Sequence, residues 1–210
     1  MKTQLILVRH GETEWNRLKK YQGQANSPLT ELGIRQAEAV RDALADEPID
    51  TIVSSDLGRA LQTAQIIAEP HDLRVIPEAR LRERHLGVFQ GLDKDSISER
   101  YPEEVRRYRS GDPDHVIPDG ESARQRYERS TACLRELAKS HAGDTLVVVA
   151  HGGILRGAIE MVLDLPMNRK RRFSLYNASI ARFSIFDGYW MMDSWGETWH
   201  LKDIGKFDDV

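Results

Sequence analysis

The stretch Leu146-Val147-Val148-Val149-Ala150 is apolar without alternation, and it runs directly into His151-Gly152-Gly153. A short unbroken apolar run of this kind reads as a strand buried on both faces, as in parallel sheets. Leu5–Val8 is a second such run, near the N-terminus. Between the two, short β-rich runs alternate with longer helical stretches. Thr30 is placed to cap a helix over about Glu31–Ala45, in which Leu32, Ala37, Val40 and Leu44 share one side. Thr51–Val53 reads as a strand ending at Ser54-Ser55-Asp56, and a helix follows through Ala60, Ala64 and Ile67. Arg74–Ile76 is a further short strand candidate. The alternation predicts an α/β fold with a mostly parallel sheet.

The region from Asp93 to Asp119 breaks this pattern. It is rich in charge and carries Pro102, Pro113 and Pro118, which predicts a helical-plus-loop excursion over one end of the sheet, suited to a lid. From Gly120 a helix is expected to about His141, with Ala123, Tyr127, Leu134 and Ala138 as its inward stripe. Ile154–Leu163 reads as a helix stopped before Pro166. Asp187-Gly188 between Ile180–Phe186 and Tyr189–Met192 is a hairpin signal, so an antiparallel element closes the chain. The edge of that hairpin is a place where two copies can pair as a homodimer, and the sequence leaves the oligomeric state open.

Composition narrows the function classes. The 210 residues hold 30 Lys+Arg against 33 Asp+Glu, a net charge of −3, with no repeat, low-complexity tract or linker. One domain spanning 1–210 is expected. The near-neutral balance argues against nucleic acid or an anionic membrane as the main partner. A single cysteine, Cys133, rules out an internal disulfide framework and suits a reducing cytosol. No apolar run approaches the roughly 18 residues of a membrane span, and Leu5–Val8 is too short for a signal-peptide core. A soluble, cytoplasmic protein is the expectation.

Both apolar strands end in histidine followed by glycine: Arg9-His10-Gly11 after the first and His151-Gly152-Gly153 after the second. In open α/β sheets ligands bind at the carboxyl ends of the strands, where backbone amides and helix N-termini face an anion. Arg59 sits in the opening turn of a helix, where the macrodipole disfavours a cation unless a bound anion is near. Arg9, Arg59, His10 and His151 therefore make a candidate phosphate site. Arginine offers a permanently charged planar fork to phosphoryl oxygens, and a neutral imidazole is a competent nucleophile.

The segment Leu7-Val8-Arg9-His10-Gly11-Glu12-Thr13-Glu14-Trp15-Asn16 resembles the signature of the histidine phosphatase superfamily, which includes the cofactor-dependent phosphoglycerate mutases. The resemblance continues through Gln22-Gly23, Ser27-Pro28-Leu29-Thr30, Ser54 to Ala60, Leu81 to Gly87 and Gly120-Glu121-Ser122, and closes at Ala150 to Gly153. It implies a three-layer α/β/α sandwich with a short lid insertion at about 93–119. It also implies a phosphohistidine mechanism: His10 as nucleophile, Arg9, Arg59 and His151 clamping the phosphoryl group, and Glu83 as general acid and base. Asn16, Gln22, Gly23, Arg84, His85 and Gly152 are the implied substrate-binding residues. The expected activity is hydrolysis of a small phosphorylated metabolite, with no cofactor and no metal. A phosphoglycerate mutase and a non-catalytic phospholigand-binding member are the alternatives.

Other features carry less. No Gly-x-Ser-x-Gly elbow accompanies His151-Gly152-Gly153, and no Gly-x-x-x-x-Gly-Lys-Ser/Thr loop is present. Cys133 reads as a small core filler. His71, His115, His141 and His200 lack metal-ligand spacing and read as surface or structural. The 169–172 basic run reads as a solvated face, and Trp190, Trp195 and Trp199 as core or edge packing. The lid arginines Arg106, Arg107 and Arg109, like Arg84, are candidates to recognise a carboxylate or a second phosphate.

Overall fold

A computed structural model describes residues 1–167 and 173–205. The strands are β1 (Lys2–Arg9), β2 (Thr51–Ser54), β3 (Val75–Pro77), β4 (Thr145–Ala150), β5 (Ile180–Phe186) and β6 (Tyr189–Glu197). The α-helices are α1 (Glu14–Arg17), α2 (Glu31–Leu44), α3 (Gly58–Ala68), α4 (Lys94–Arg100), α5 (Pro102–Ser110), α6 (Ala123–Ser140) and α7 (Gly152–Val162). The strands form one six-stranded sheet in the order β3-β2-β4-β1-β5-β6. β3, β2, β4 and β1 run parallel, while β5 and β6 are antiparallel, as the Asp187-Gly188 turn requires.

Alternate residues of the central strands feed two cores. Leu5 and Leu7 of β1, with Leu146 and Val148 of β4, pack under α6 and α7 through Leu134, Ala138, Ile154 and Ala158. Ile6, Val8, Val147 and Val149 face the other way, onto Val40 and Leu44 of α2 and Ala60, Ala64 and Ile67 of α3. All six residues of β4 are buried, so an unbroken apolar run is what this position needs. The result is the expected three-layer α/β/α sandwich.

Several sequence expectations are refined. Thr30 caps α2 by accepting the Gly33 amide at 3.0 Å. The helix expected from Gly120 starts at Ala123 behind a Ser122–Gln125 capping box. Its inward stripe differs from the expectation: Ala123 and Tyr127 are only half-buried, while Arg126, Ser130 and Cys133 occupy inner positions beside Leu134 and Ala138. The 93–119 excursion holds α4 and α5, whose Ile97 and Val105 join Leu86, Phe89 and Ile117 in a small core of their own. Trp190 and Trp195 pack against the main core, while Trp199 is 59% exposed with its ring edge-on to His200. The 169–172 basic run lies outside the described residues. Among the described residues no helix is long and apolar enough to cross a membrane.

Candidate active site

The β1 and β4 strands lie side by side in parallel register, with Arg9 paired to Ala150, so both histidines emerge at the same carboxyl edge. Their rings sit with centroids 5.2 Å apart. His10 Nδ1 lies 2.7 Å from its neighbour's carbonyl, Gly11 O. A carbonyl only accepts, so Nδ1 carries the proton and Nε2 presents its lone pair. The Nε–H of Arg59 donates to that lone pair at 3.3 Å. Burial, with Arg59 and then Arg9 alongside, holds His10 well below its ordinary imidazole value. The ring is thus kept neutral, the form that can attack phosphorus.

Arg59 reaches the site because α3 begins immediately after β2. Its Nη1 and Nη2 donate to Ala25 O at 3.0 Å and Gly23 O at 2.7 Å. Gly23 adopts φ of +55°, and a Cβ there would lie 2.4 Å from Gln90 Oε1. Glycine therefore delivers the carbonyl that fixes the arginine. Arg9 is buried and donates to Leu175 O from the far end of the chain. Gly152 sits beside it: a Cβ on Gly152 would stand 3.8 Å from Arg9 Nε.

His151 is the N-cap residue of α7 and also buried. Its Nε2 lies 2.8 Å from Ser55 Oγ, while its Nδ1 is buried with no partner among the described residues. Burial, then Arg59, His10 and Arg9, push its basicity down as well. Two neutral rings and two arginines, all buried at one strand edge, make a cationic cradle suited to an anion.

Glu83 closes the arrangement. Its Oε2 accepts the Gly153 amide at 2.8 Å and its Oε1 accepts the Arg84 amide at 2.7 Å. The first of these is an α7 N-terminal amide, a natural seat for a carboxylate. A Cβ at 153 would come within 2.1 Å of Glu83 Oε1, so any larger residue there would push the carboxylate from its seat.

The remaining sequence candidates are placed differently. Asn16 is buried, and its Oδ1 accepts from the Thr13 amide and hydroxyl at 3.1 and 2.9 Å. Gln22 carries a buried Oε1 with no partner among the described residues. Arg84 lies over the Tyr108 ring and donates to Glu121 O at 2.8 Å and His115 O at 2.9 Å, which ties the excursion to the Glu83 loop. His85 Nδ1 accepts the Gly87 amide at 3.1 Å. Arg106 and Arg107 pair with Glu103 and Glu104 on their own helix.

Sequence reasoning missed several contributors. Asn177 donates to His10 O at 3.0 Å across 167 residues, a partnership no local signal announces. Thr63 Oγ1 accepts the Gly11 amide at 3.1 Å. Ser55 and Gly153 stand next to recognised residues and are legible only as neighbours. Among the described residues no group of three or more His, Cys, Asp or Glu side chains is placed to hold a metal ion.

Residues 5–198 match the model of the histidine phosphatase superfamily (branch 1). The chain is 37% identical over 212 aligned positions to a probable phosphoglycerate mutase, GpmB, of Yersinia pestis, covering 99% of this chain and 98% of that one. The Entamoeba histolytica phosphoserine phosphatase, solved in complex with 3-phosphoglyceric acid, superposes with a TM-score of 0.84 at 33% identity, over 95% of this chain and 99% of that one. A mycobacterial glucosyl-3-phosphoglycerate phosphatase complexed with VO3 gives a TM-score of 0.80 at 33% identity, over 93% and 99%. With the family model matched over residues 5–198 and a 37% identical relative covered over nearly its whole length, the chain belongs to the histidine phosphatase superfamily.

Proposed function

We propose that the protein is a phosphomonoesterase that hydrolyses a small phosphorylated metabolite through a phosphohistidine on His10. The observation that carries the reading is the Nδ1–H bond from His10 to Gly11 O, which leaves Nε2 as a buried lone pair between two arginines. On substrate binding Arg59 turns its Nε–H from that lone pair to a phosphoryl oxygen, and Arg9 and His151 take the others. Nε2 then forms a bond to phosphorus as the ester P–O bond breaks. The leaving oxygen takes a proton from Glu83. Water next attacks phosphorus, its proton returns to Glu83, and the N–P bond breaks to release phosphate.

The residues at 1–210 act as one catalytic domain in the cytoplasm, with the excursion at 93–119 as a short lid. Two structural relatives named as phosphatases support hydrolysis, and the Yersinia pestis relative's name supports a mutase as the second reading. The test is a quench experiment with labelled substrate. Acid-labile, alkali-stable label on His10 is expected, and a His10→Ala variant with near-normal turnover would sink the mechanism.

A further inference from the structure

One buried cation takes no part in the chemistry above. Arg126 of α6 is only 5% exposed, and no carboxylate lies within ion-pair distance of it among the described residues. Burying a guanidinium without a paired anion is unfavourable, so its placement calls for a compensating purpose. Its Nη1 donates to Gly153 O at 2.6 Å. Gly153 is also the residue whose amide binds Glu83 Oε2 at 2.8 Å. One glycine on the first turn of α7 therefore touches the carboxylate through its N–H and the guanidinium through its carbonyl.

The helix is shaped for both contacts. A Cβ at Gly153 would lie 2.1 Å from Glu83 Oε1, and a Cβ at Gly157, one turn on, would lie 2.6 Å from Arg126 Nη1. Two glycines at i and i+4 open one notch for the carboxylate and one for the arginine. Glu83 is the charge that most favours the charged form of Arg126, ahead of Glu160. Glu160 itself is engaged by Arg156, at 2.6 Å from Nε to Oε1.

We infer that Arg126 is a positioning residue for the acid–base carboxylate: by holding Gly153 O it fixes the α7 turn whose amide aims Glu83 at the leaving oxygen. The inference rests on the acid–base role proposed for Glu83. As Glu83 gives up its proton the carboxylate gains negative charge, and the cation behind the turn stabilises that charge without touching substrate.

The test separates this from a purely structural role by leaving-group dependence. Turnover of glycerol 2-phosphate, which needs a proton at the leaving oxygen, is compared with p-nitrophenyl phosphate, which needs little. Arg126→Met should lower kcat on the alkyl ester by about tenfold or more and on the aryl ester by less than about threefold. The Glu83→Gln/Arg126→Met double variant should be no slower than Glu83→Gln alone. Gly157→Ala, which keeps the cation but displaces Nη1, should show the same selectivity and decides the matter if Arg126→Met does not fold. Equal losses on both esters in the Arg126 and Gly157 variants, while Glu83→Gln discriminates, would overturn the inference. Equal losses in Glu83→Gln itself would instead remove the acid role on which it stands.

Discussion

Arg59 donates its Nε–H to the Nε2 lone pair of His10 at 3.3 Å, so the arginine caps the very atom proposed to attack phosphorus. The same guanidinium satisfies the carbonyls of Gly23 and Ala25. Arg59→Ala would leave both carbonyls short of a donor, at about 1–3 kcal/mol for each that stays dry. It would also remove a phosphoryl ligand, lowering kcat by about 10²–10³. Arg59→Lys should recover part of the stability but little of the rate, because an ammonium cannot serve three acceptors set for a planar fork. Urea unfolding and turnover of p-nitrophenyl phosphate read the two effects separately. A lysine variant with near wild-type kcat would contradict the assignment.

The pH dependence follows from the same burial. His10 and His151 bind a proton more weakly in the folded protein than in the unfolded chain, where imidazole titrates near about 6.5. His200 is lowered too, by burial. Unfolding therefore takes up protons once the pH drops below that value. The stability these rings contribute is complete above it and is lost as the pH falls. The lowered carboxyls, Asp56 beside Arg82 and Glu78 beside Arg80, lose theirs in a separate, more acidic window. Thermal melts should show Tm declining from about pH 7 towards pH 5, with the slope reduced in a His10→Asn/His151→Asn variant. A flat Tm across that range would show that the rings are not held neutral.

Much of this site is legible in the sequence because chain order and sheet order cooperate. β1 and β4 are adjacent strands, so two histidine–glycine steps far apart in the chain arrive at one edge. Thr30 and Asp187-Gly188 act through local hydrogen bonding and turn geometry, which short-range patterns record well. Arg126 is illegible for the opposite reason. An arginine in a helix reads as solvent-facing, and the glycine notches that make room for it inside belong to α7, which follows β4 in the chain. Asn177 likewise gives no local sign of the His10 carbonyl it meets. Arg84 is legible as important but not in its actual contacts, because the carbonyls it meets belong to the excursion and the turn that follows it.

Gly11 and Gly33 form a tight backbone crossing behind His10. A Cβ on Gly33 would lie 2.0 Å from Glu12 O, and one on Gly11 would lie 2.3 Å from Gly33 O. Both obstacles are backbone atoms, so neither can rotate away. Gly33→Ala should destabilise by about 3 kcal/mol or more through forced separation of α2 from the His10 loop. Chemical denaturation measures this. A loss below about 1 kcal/mol would mean that the crossing relaxes easily.

Ser55 should set the tautomer of His151. Its Oγ accepts the Leu57 amide at 3.3 Å and lies 2.8 Å from His151 Nε2, and its own hydrogen is expected to be donated to that nitrogen. The proton of the neutral ring then resides on Nδ1, the buried nitrogen with no partner among the described residues, ready for a phosphoryl oxygen. Ser55→Ala should lower kcat by about tenfold to a hundredfold. Nitrogen NMR of the ring should show the Nδ1–H form in the parent and a mixture in the variant. An Nε2–H form in the parent would refute the assignment.

The last expectation is that water, not a second substrate oxygen, takes the phosphoryl group. A mutase must hold the released monophosphate, let it reorient and exclude water from the phosphohistidine meanwhile. Here the excursion is short and broken by Pro102, Pro113 and Pro118, and its apolar residues are engaged with one another around Phe89. Arg106 and Arg107 are exposed and paired with Glu103 and Glu104. These basic residues are thus directed to solvent instead of enclosing a substrate. Against this stands the run Glu83-Arg84-His85-Leu86-Gly87, which stays close to the mutase pattern, together with the name of the Yersinia pestis relative. The discriminating measurement sets phosphate release from 3-phosphoglycerate and other small monoesters beside interconversion of 2- and 3-phosphoglycerate with bisphosphoglycerate present. Release should be the faster process for at least one ester. Interconversion outrunning release from every ester tested would make the protein a mutase, and the 93–119 excursion would then have to close on substrate.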